Sequence, residues 1–291
     1  MIDLRALSPV IPVFALIGIG FVFARWRKIS LESITEFIVY LASPALVFAS
    51  LLSKPLFATD ILVLLTGIAG IMSGVGLLIW IYFSVFRFRS RGFILPVLFI
   101  NAGNMGLPLA LFAFGEPGLQ RASICYVIMS TLQSSLGIYL VSGDRGWQEI
   151  FRLPLIYATI LGLFVNVNQI QVPWPILEPI RLLGFSTIPL MLVSLGYRLN
   201  SMKAITWGHS VGGALIRIVG GFACAYLTVT LLGIDGVNRQ VILLYGALPS
   251  AVVNFVLTEK YRQDPELAAS IVVITTLLSL ATIPIVFSLI L

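Results

Sequence analysis

Apolar runs of about twenty residues recur along the whole chain, separated by short polar punctuation. Ten can be marked: 7–25, 32–52, 60–86, 92–114, 119–142, 153–170, 175–197, 208–232, 238–259 and 267–290. Such runs are the length needed to cross a hydrocarbon core of roughly 30 Å. The loops between them are too short to hold a soluble domain. The first run is not followed by a small-residue cleavage site, so it reads as a retained helix. Composition agrees with the pattern. Hydrophobic residues make up 59% of the chain and charged residues 10%, with a mean hydropathy of +1.05. Soluble domains carry about 25% charged residues, so water is the wrong solvent for most of this surface.

Charge sets the orientation. Loops after the odd-numbered runs hold twelve basic residues: Arg25, Arg27, Lys28, Arg87, Arg89, Arg91, Arg145, Arg152, Arg198, Lys203, Lys260 and Arg262. The opposite side holds five: Arg5, Lys54, Arg121, Arg181 and Arg239. The odd loops are therefore expected in the cytoplasm, with both termini outside a plasma (inner) membrane. No contiguous basic stripe asks for nucleic acid. The expected partners are the lipid bilayer and a small organic acid anion, and a homodimer stays open.

The two halves repeat. "GLP" at Gly106–Pro108 stands against "ALP" at Ala247–Pro249. "GEPGLQRASI" stands against "RQDPELAASI", "TLQS" against "TLLS", and "ASPALVFASLL" against "STIPLMLVSLG". An odd number of spans per copy inserts the second copy upside down, the inverted-repeat plan of many secondary transporters. The expected fold is thus an all-α polytopic membrane protein, with repeats over 1–142 and 151–291.

The candidate chemistry lies where the oil is interrupted. "NAGNMGLP" puts Asn101, Asn104, Gly106 and Pro108 inside the fourth span. Pro249, Ser250 and Asn254 interrupt the ninth. Half-helices starting near Leu107 and Ser250 would present unbonded N–H groups and positive dipole ends to a carboxylate. The amides would add neutral donors. Gln133, mid-span in "STLQSSLG", is read either as a substrate contact or as glue to the next helix. Arg217, inside the eighth span, either faces the pathway, pairs within the protein or snorkels. Pro96, like the other lone prolines, reads as a simple kink. Thr275, Thr276 and Ser279 read as back-bonded to their own helix. His209, the single His, reads as interfacial, and Cys125 and Cys224 as packing residues. All twelve acids lie at or near span ends, so no mid-membrane carboxylate stands ready to carry a proton or hold Na⁺. No metal ligand set, cofactor motif or nucleophile–base pair is legible, which argues against an enzyme.

"NAGNMGLPLALFAFGEPGL" and "ALPSAVVNFVLTEKYRQDPELAASIVVITTLLSL" resemble the two most recognisable blocks of the auxin efflux carrier family, in a compact prokaryotic form. The resemblance extends over nearly the whole chain. It implies a fold similar to the bile-acid sodium symporters: ten helices, with broken helices 4 and 9 crossing. It also implies a scaffold domain (helices 1, 2, 6, 7) and a transport domain (helices 3, 4, 5, 8, 9, 10). The activity implied is transport of small organic anions, such as malate- or malonate-like dicarboxylates, by alternating access. Asn101 matches the family's substrate-facing Asn of helix 4, and Asn254 matches more loosely. A Na⁺-coupled bile-acid-type symporter is the alternative, and a channel a weaker one.

Overall fold

The computed structural model describes residues 4–143, 151–201 and 206–291. Arg145 and Lys203, counted for topology, lie outside them. Among the described residues the chain is helical and no strand forms. A short turn, Leu4–Leu7, precedes eleven helices. These are α1 (Val10–Trp26), α2 (Glu32–Leu51), α3 (Ala58–Phe86), α4 (Arg91–Leu98), α5 (Ala102–Ser142) and α6 (Pro154–Val167). They continue with α7 (Trp174–Ser201), α8 (His209–Leu231), α9 (Gly236–Ala247), α10 (Val252–Lys260) and α11 (Pro265–Ile290). Six of them, α2, α3, α5, α7, α8 and α11, are long and apolar enough to cross a membrane, while α1 and α6 are shorter apolar helices.

The difference from ten clean spans has local causes. Helix α5 runs 41 residues. At 1.5 Å per residue that is about 60 Å, twice a hydrocarbon core. Its continuity is nominal, because Gly115 adopts φ 66°, ψ −157°, a conformation open only to glycine. Pro117 then begins the next helical stretch without needing an N–H partner. The fourth and fifth sequence runs meet at this corner. The fourth and ninth runs are themselves interrupted, between α4 and α5 and between α9 and α10.

Packing falls into two sets. Helix α1 lies along α7, and α2 packs on α6 and α7. Helix α8 packs on α3 and α9, and α11 on α4, α8, α9 and α10. In the first set the backbones nearly touch: a Cβ on Gly20 would run into the Val193 carbonyl, and one on Gly196 into the Ile17 carbonyl. Small residues at such crossings are how apolar helices gain contact where lipid removes the hydrophobic drive. The orphan carbonyls at the end of α2 are capped from two sides. Asn166 Nδ2 donates to Leu51 and Lys54, and Gln120 Nε2 donates to the same two carbonyls. Trp26, Trp80, Trp174 and Trp207 stay exposed on the outer surface. Cys125 is buried, and Cys224 packs where a Cβ on Gly74 would meet its sulfur.

Candidate functional site

The site is built where the interrupted helices cross. Helix α4 stops at Leu98, and Phe99 is extended at φ −100°, ψ 119°. Helix α9 stops at Ala247, and Leu248 turns to φ −63°, ψ 144°, as the ring of Pro249 requires of the residue before it. The two extended stretches run antiparallel and pair at Ile100 and Ser250. The Asn101 N–H donates to the Pro249 carbonyl at 2.8 Å, and the Ala251 N–H to the Phe99 carbonyl at 3.3 Å. Asn254 Nδ2 donates to the same Phe99 carbonyl at 2.7 Å and to Ser250 Oγ at 3.1 Å. Each break thus satisfies backbone groups freed by the other, the condition for irregular chain at membrane depth.

The placement corrects the sequence reading of Pro108. Pro249 stands in its break, but Pro108 lies inside α5, beyond the first break at Phe99–Asn101. "GLP" and "ALP" therefore do not occupy equivalent places at the crossing. After the first break the chain turns helical at Ala102 through a π-turn, with the α-helix proper starting at Leu107, and the second half-helix begins at Val252, two residues past Ser250. Pro108 lacks an N–H and crowds the Asn104 carbonyl one turn back. The widened π-turn Ala102–Gly106 directly ahead of it absorbs that crowding.

Beside the crossing lies a cavity of about 380 Å³. Asn101, Asn104 and Gln133 line it, as do Val252, Val253 and Arg198. Asn101 is buried, and its Nδ2 has no hydrogen-bond partner among the described residues. The first turns of α5 and α10 both contribute lining, and the first N–H groups of any helix have no ladder partner. Arg198 donates from Nη2 to Thr35 Oγ1 at 2.9 Å. No described lining residue is acidic. Three π-turns, Ile38–Ala42, Ala102–Gly106 and Gln133–Gly137, supply part of the wall, and such turns are frequent at functional sites. The arrangement offers donors and positive ends, with no carboxylate among the described lining residues.

The remaining candidates lie behind this wall. Asn254 is fully buried, with its Oδ1 accepting from Gln133 Nε2 at 2.7 Å. Gln133 therefore both faces the cavity and ties α5 to α10. Ser250 is buried, and its N–H donates to Thr275 Oγ1 at 3.1 Å. Gly106 leaves room for the Tyr245 ring, whose hydroxyl lies 2.7 Å from the Ala122 carbonyl. Gly106, Pro249, Ser250 and Asn254 lie at the crossing and Pro108 within α5, and none of the five lines the cavity. Arg217 is fully buried and bonded to backbone carbonyls, so of its readings pairing within the protein is the one realised. Thr275, Thr276 and Ser279 are back-bonded as read, though Thr275 Oγ1 also accepts from across the crossing. His209 stacks on Phe88 and meets Tyr82 Oη at 2.9 Å. Sequence reasoning missed Arg198 as a wall residue, because a basic residue at a span end reads first as a topology signal.

A sequence model of the family described as "Membrane transport protein" matches residues 5–146 and 138–287. An uncharacterized transporter of Methanocaldococcus jannaschii is 29% identical over 94% of this chain and 95% of its own. A putative malonate transporter of Rhizobium meliloti is 26% identical over 94% of this chain and 92% of its own. Auxin efflux carrier component 2 of Oryza sativa subsp. japonica is 27% identical over 46% of this chain and 22% of its own.

Proposed function

Because the chain belongs to the membrane transport protein family, which includes the auxin efflux carriers, we propose that it is a secondary carrier of small organic anions working by alternating access. The observation that carries this reading is the cavity itself. It combines a buried amide at Asn101 whose Nδ2 has no partner among the described residues, the starts of two half-helices and Arg198, and none of its described lining residues is acidic. The malonate named for the Rhizobium meliloti relative supplies the first probe. Asn101, Asn104 and Gln133 contact the anion. Ser250 and Asn254, with Pro249, hold the half-helices at the angle that aims them, while Gly106 and Pro108 lie in the first turns of α5 behind the site.

In the proposed architecture ten spans form two inverted five-helix repeats, the fourth built from α4 and the start of α5, the ninth from α9 and α10. Helices α1, α2, α6 and α7 form the scaffold, and the others form the transport unit that slides against it. Both termini face outward from a plasma membrane. On that topology the cavity lies toward the cytoplasm, since Thr35, Leu153 and Arg198 on its wall border odd-numbered loops. The opposite end is closed where α7 meets α5, by the Arg181–Glu116 ion pair at 3.1 Å, and Ser50 donates to Ser123 at 2.8 Å nearby. This is an inward-facing state.

The test is counterflow in proteoliposomes with radiolabelled malonate, beside binding of malonate and its neutral diamide to purified protein. Saturable counterflow and preference for the acid are expected. Equal affinity for the diamide would refute the anion site, and linear, non-exchanging flux would indicate a channel.

A further inference from the structure

A positive charge is buried at the crossing with no carboxylate beside it. Arg217 is fully buried, and no acidic side chain pairs with it among the described residues. Its Nη1 donates to the Val97 carbonyl at 3.1 Å and its Nη2 to the Gly246 carbonyl at 2.9 Å. These acceptors occupy equivalent places. In an unbroken helix the Val97 carbonyl would accept from the Asn101 N–H, and the Gly246 carbonyl from the Ser250 N–H. Both donors are diverted, the first to the Pro249 carbonyl and the second to Thr275 Oγ1. The guanidinium therefore takes one acceptor orphaned by each break. Local structure makes room for it: Arg217 sits in the π-turn Ile216–Gly220, and a Cβ on Gly221 would collide with the guanidinium and the Gly246 carbonyl.

Electrostatics gives the reason for a cation there. Each break brings two helix ends together. The starts of α5 and α10 are positive, and the ends of α4 and α9 are negative, each by roughly half a charge. Left alone, the four ends nearly cancel, and an anion gains little. One positive charge on the two carbonyl ends offsets about one negative charge, leaving the positive ends to act on the ligand. Carriers with interrupted helices that couple to Na⁺ use unwound carbonyls to hold the ion.

Building on the organic-anion reading above, we propose that Arg217 is the resident cation of the crossing. It holds the carbonyl positions a coupling Na⁺ would require, so that anion binding in this chain needs no Na⁺. Arg217 is a positioning residue: it lies outside the cavity wall and acts through the helix ends.

The experiment compares malonate binding and melting temperature in chloride salts of Na⁺, choline and guanidinium, the last at millimolar, non-denaturing levels. Wild type is expected to bind equally in Na⁺ and choline. Arg217→Ala is expected to lose about tenfold or more in choline, as removal of hydrogen bonds from a charged group does, and to regain affinity and melting temperature in guanidinium. A small cation entering the vacated carbonyls gives the same rescue in Na⁺. Should the alanine variant not fold, Arg217→Lys keeps the charge and is expected to retain Na⁺-independent binding. Na⁺-dependent binding in wild type overturns the proposal and leaves the anion reading intact. Unchanged affinity in Arg217→Ala, or a loss that no cation restores, also overturns it, as does a lysine variant that binds only with Na⁺. If wild type binds no carboxylate in any salt, the anion reading fails. The resident cation is then decided by melting alone: guanidinium must stabilise Arg217→Ala and not wild type.

Discussion

Asn101→Leu separates binding from folding at one position. The Asn101 Nδ2 is buried beside the cavity with no partner among the described residues. A buried donor without an acceptor costs about 1–3 kcal/mol. Leucine has a similar volume and no donor, so the folded protein should lose nothing and recover part of that cost. At about 2–4 °C per kcal/mol, the melting temperature should hold or rise by a few degrees. Binding should move the other way. A hydrogen bond to a charged group contributes about 1.5–3 kcal/mol, which is a loss of about 10- to 150-fold in malonate affinity. Isothermal titration and a thermal melt on the same preparation read both quantities. Asn101→Asp should abolish binding by placing a like charge against the ligand. Affinity within twofold of wild type in the leucine variant would remove Asn101 from the ligand shell. A drop of several degrees with normal affinity in the folded fraction would make the amide structural.

Pro108→Ala should leave malonate affinity within about threefold and the melting temperature unchanged or higher, because the proline lies inside a helix already begun at Ala102; titration checks it, and a tenfold loss would return Pro108 to the binding element. Gly196→Leu should destabilise by at least about 1–3 kcal/mol, since its side chain would run into the Ile17 carbonyl of α1; a thermal melt at wild-type stability would contradict the backbone contact. Alkaline phosphatase fused after Leu291 should be active and a fluorescent protein in its place dark; the reverse result would overturn the charge count.

The six long apolar helices were legible because lipid imposes them: a residue facing hydrocarbon must be apolar, and a run of twenty leaves a plain trace. The corner at Gly115 was legible too, since "GEPG" combines a residue free to adopt positive φ with a proline that starts the next helix. The crossing was legible on one side only. Pro249 forces Leu248 out of the helix by contact with its own neighbour, a cause written in two adjacent letters. Phe99, Ile100 and Asn101 contain no such letter. They are extended because the stretch around Pro249 accepts the Asn101 N–H and donates the Ala251 N–H to the Phe99 carbonyl, and because Arg217 takes the Val97 carbonyl. Those partners lie more than a hundred residues away in sequence. The nearest downstream proline, Pro108, was therefore the natural choice from sequence and the wrong one.

The two breaks are thus held by different means, and this has a mechanical consequence. The break at Pro249 is intrinsic, because no rearrangement gives proline an N–H. The break at Phe99 is conditional, since residues 98–101 have no proline and regain a continuous ladder if Pro249 and Arg217 withdraw. Arg217 touches both sides, and so reinforces the direct backbone bonds through which the intrinsic break enforces the conditional one. Straightening of the fourth span would carry the Asn101 N–H back to the Val97 carbonyl and turn its amide away from the cavity. The proposed anion site therefore depends on a tertiary contact as much as on any residue that lines it, and the donors at Asn101 and Asn104 are only as well aimed as the guanidinium behind them.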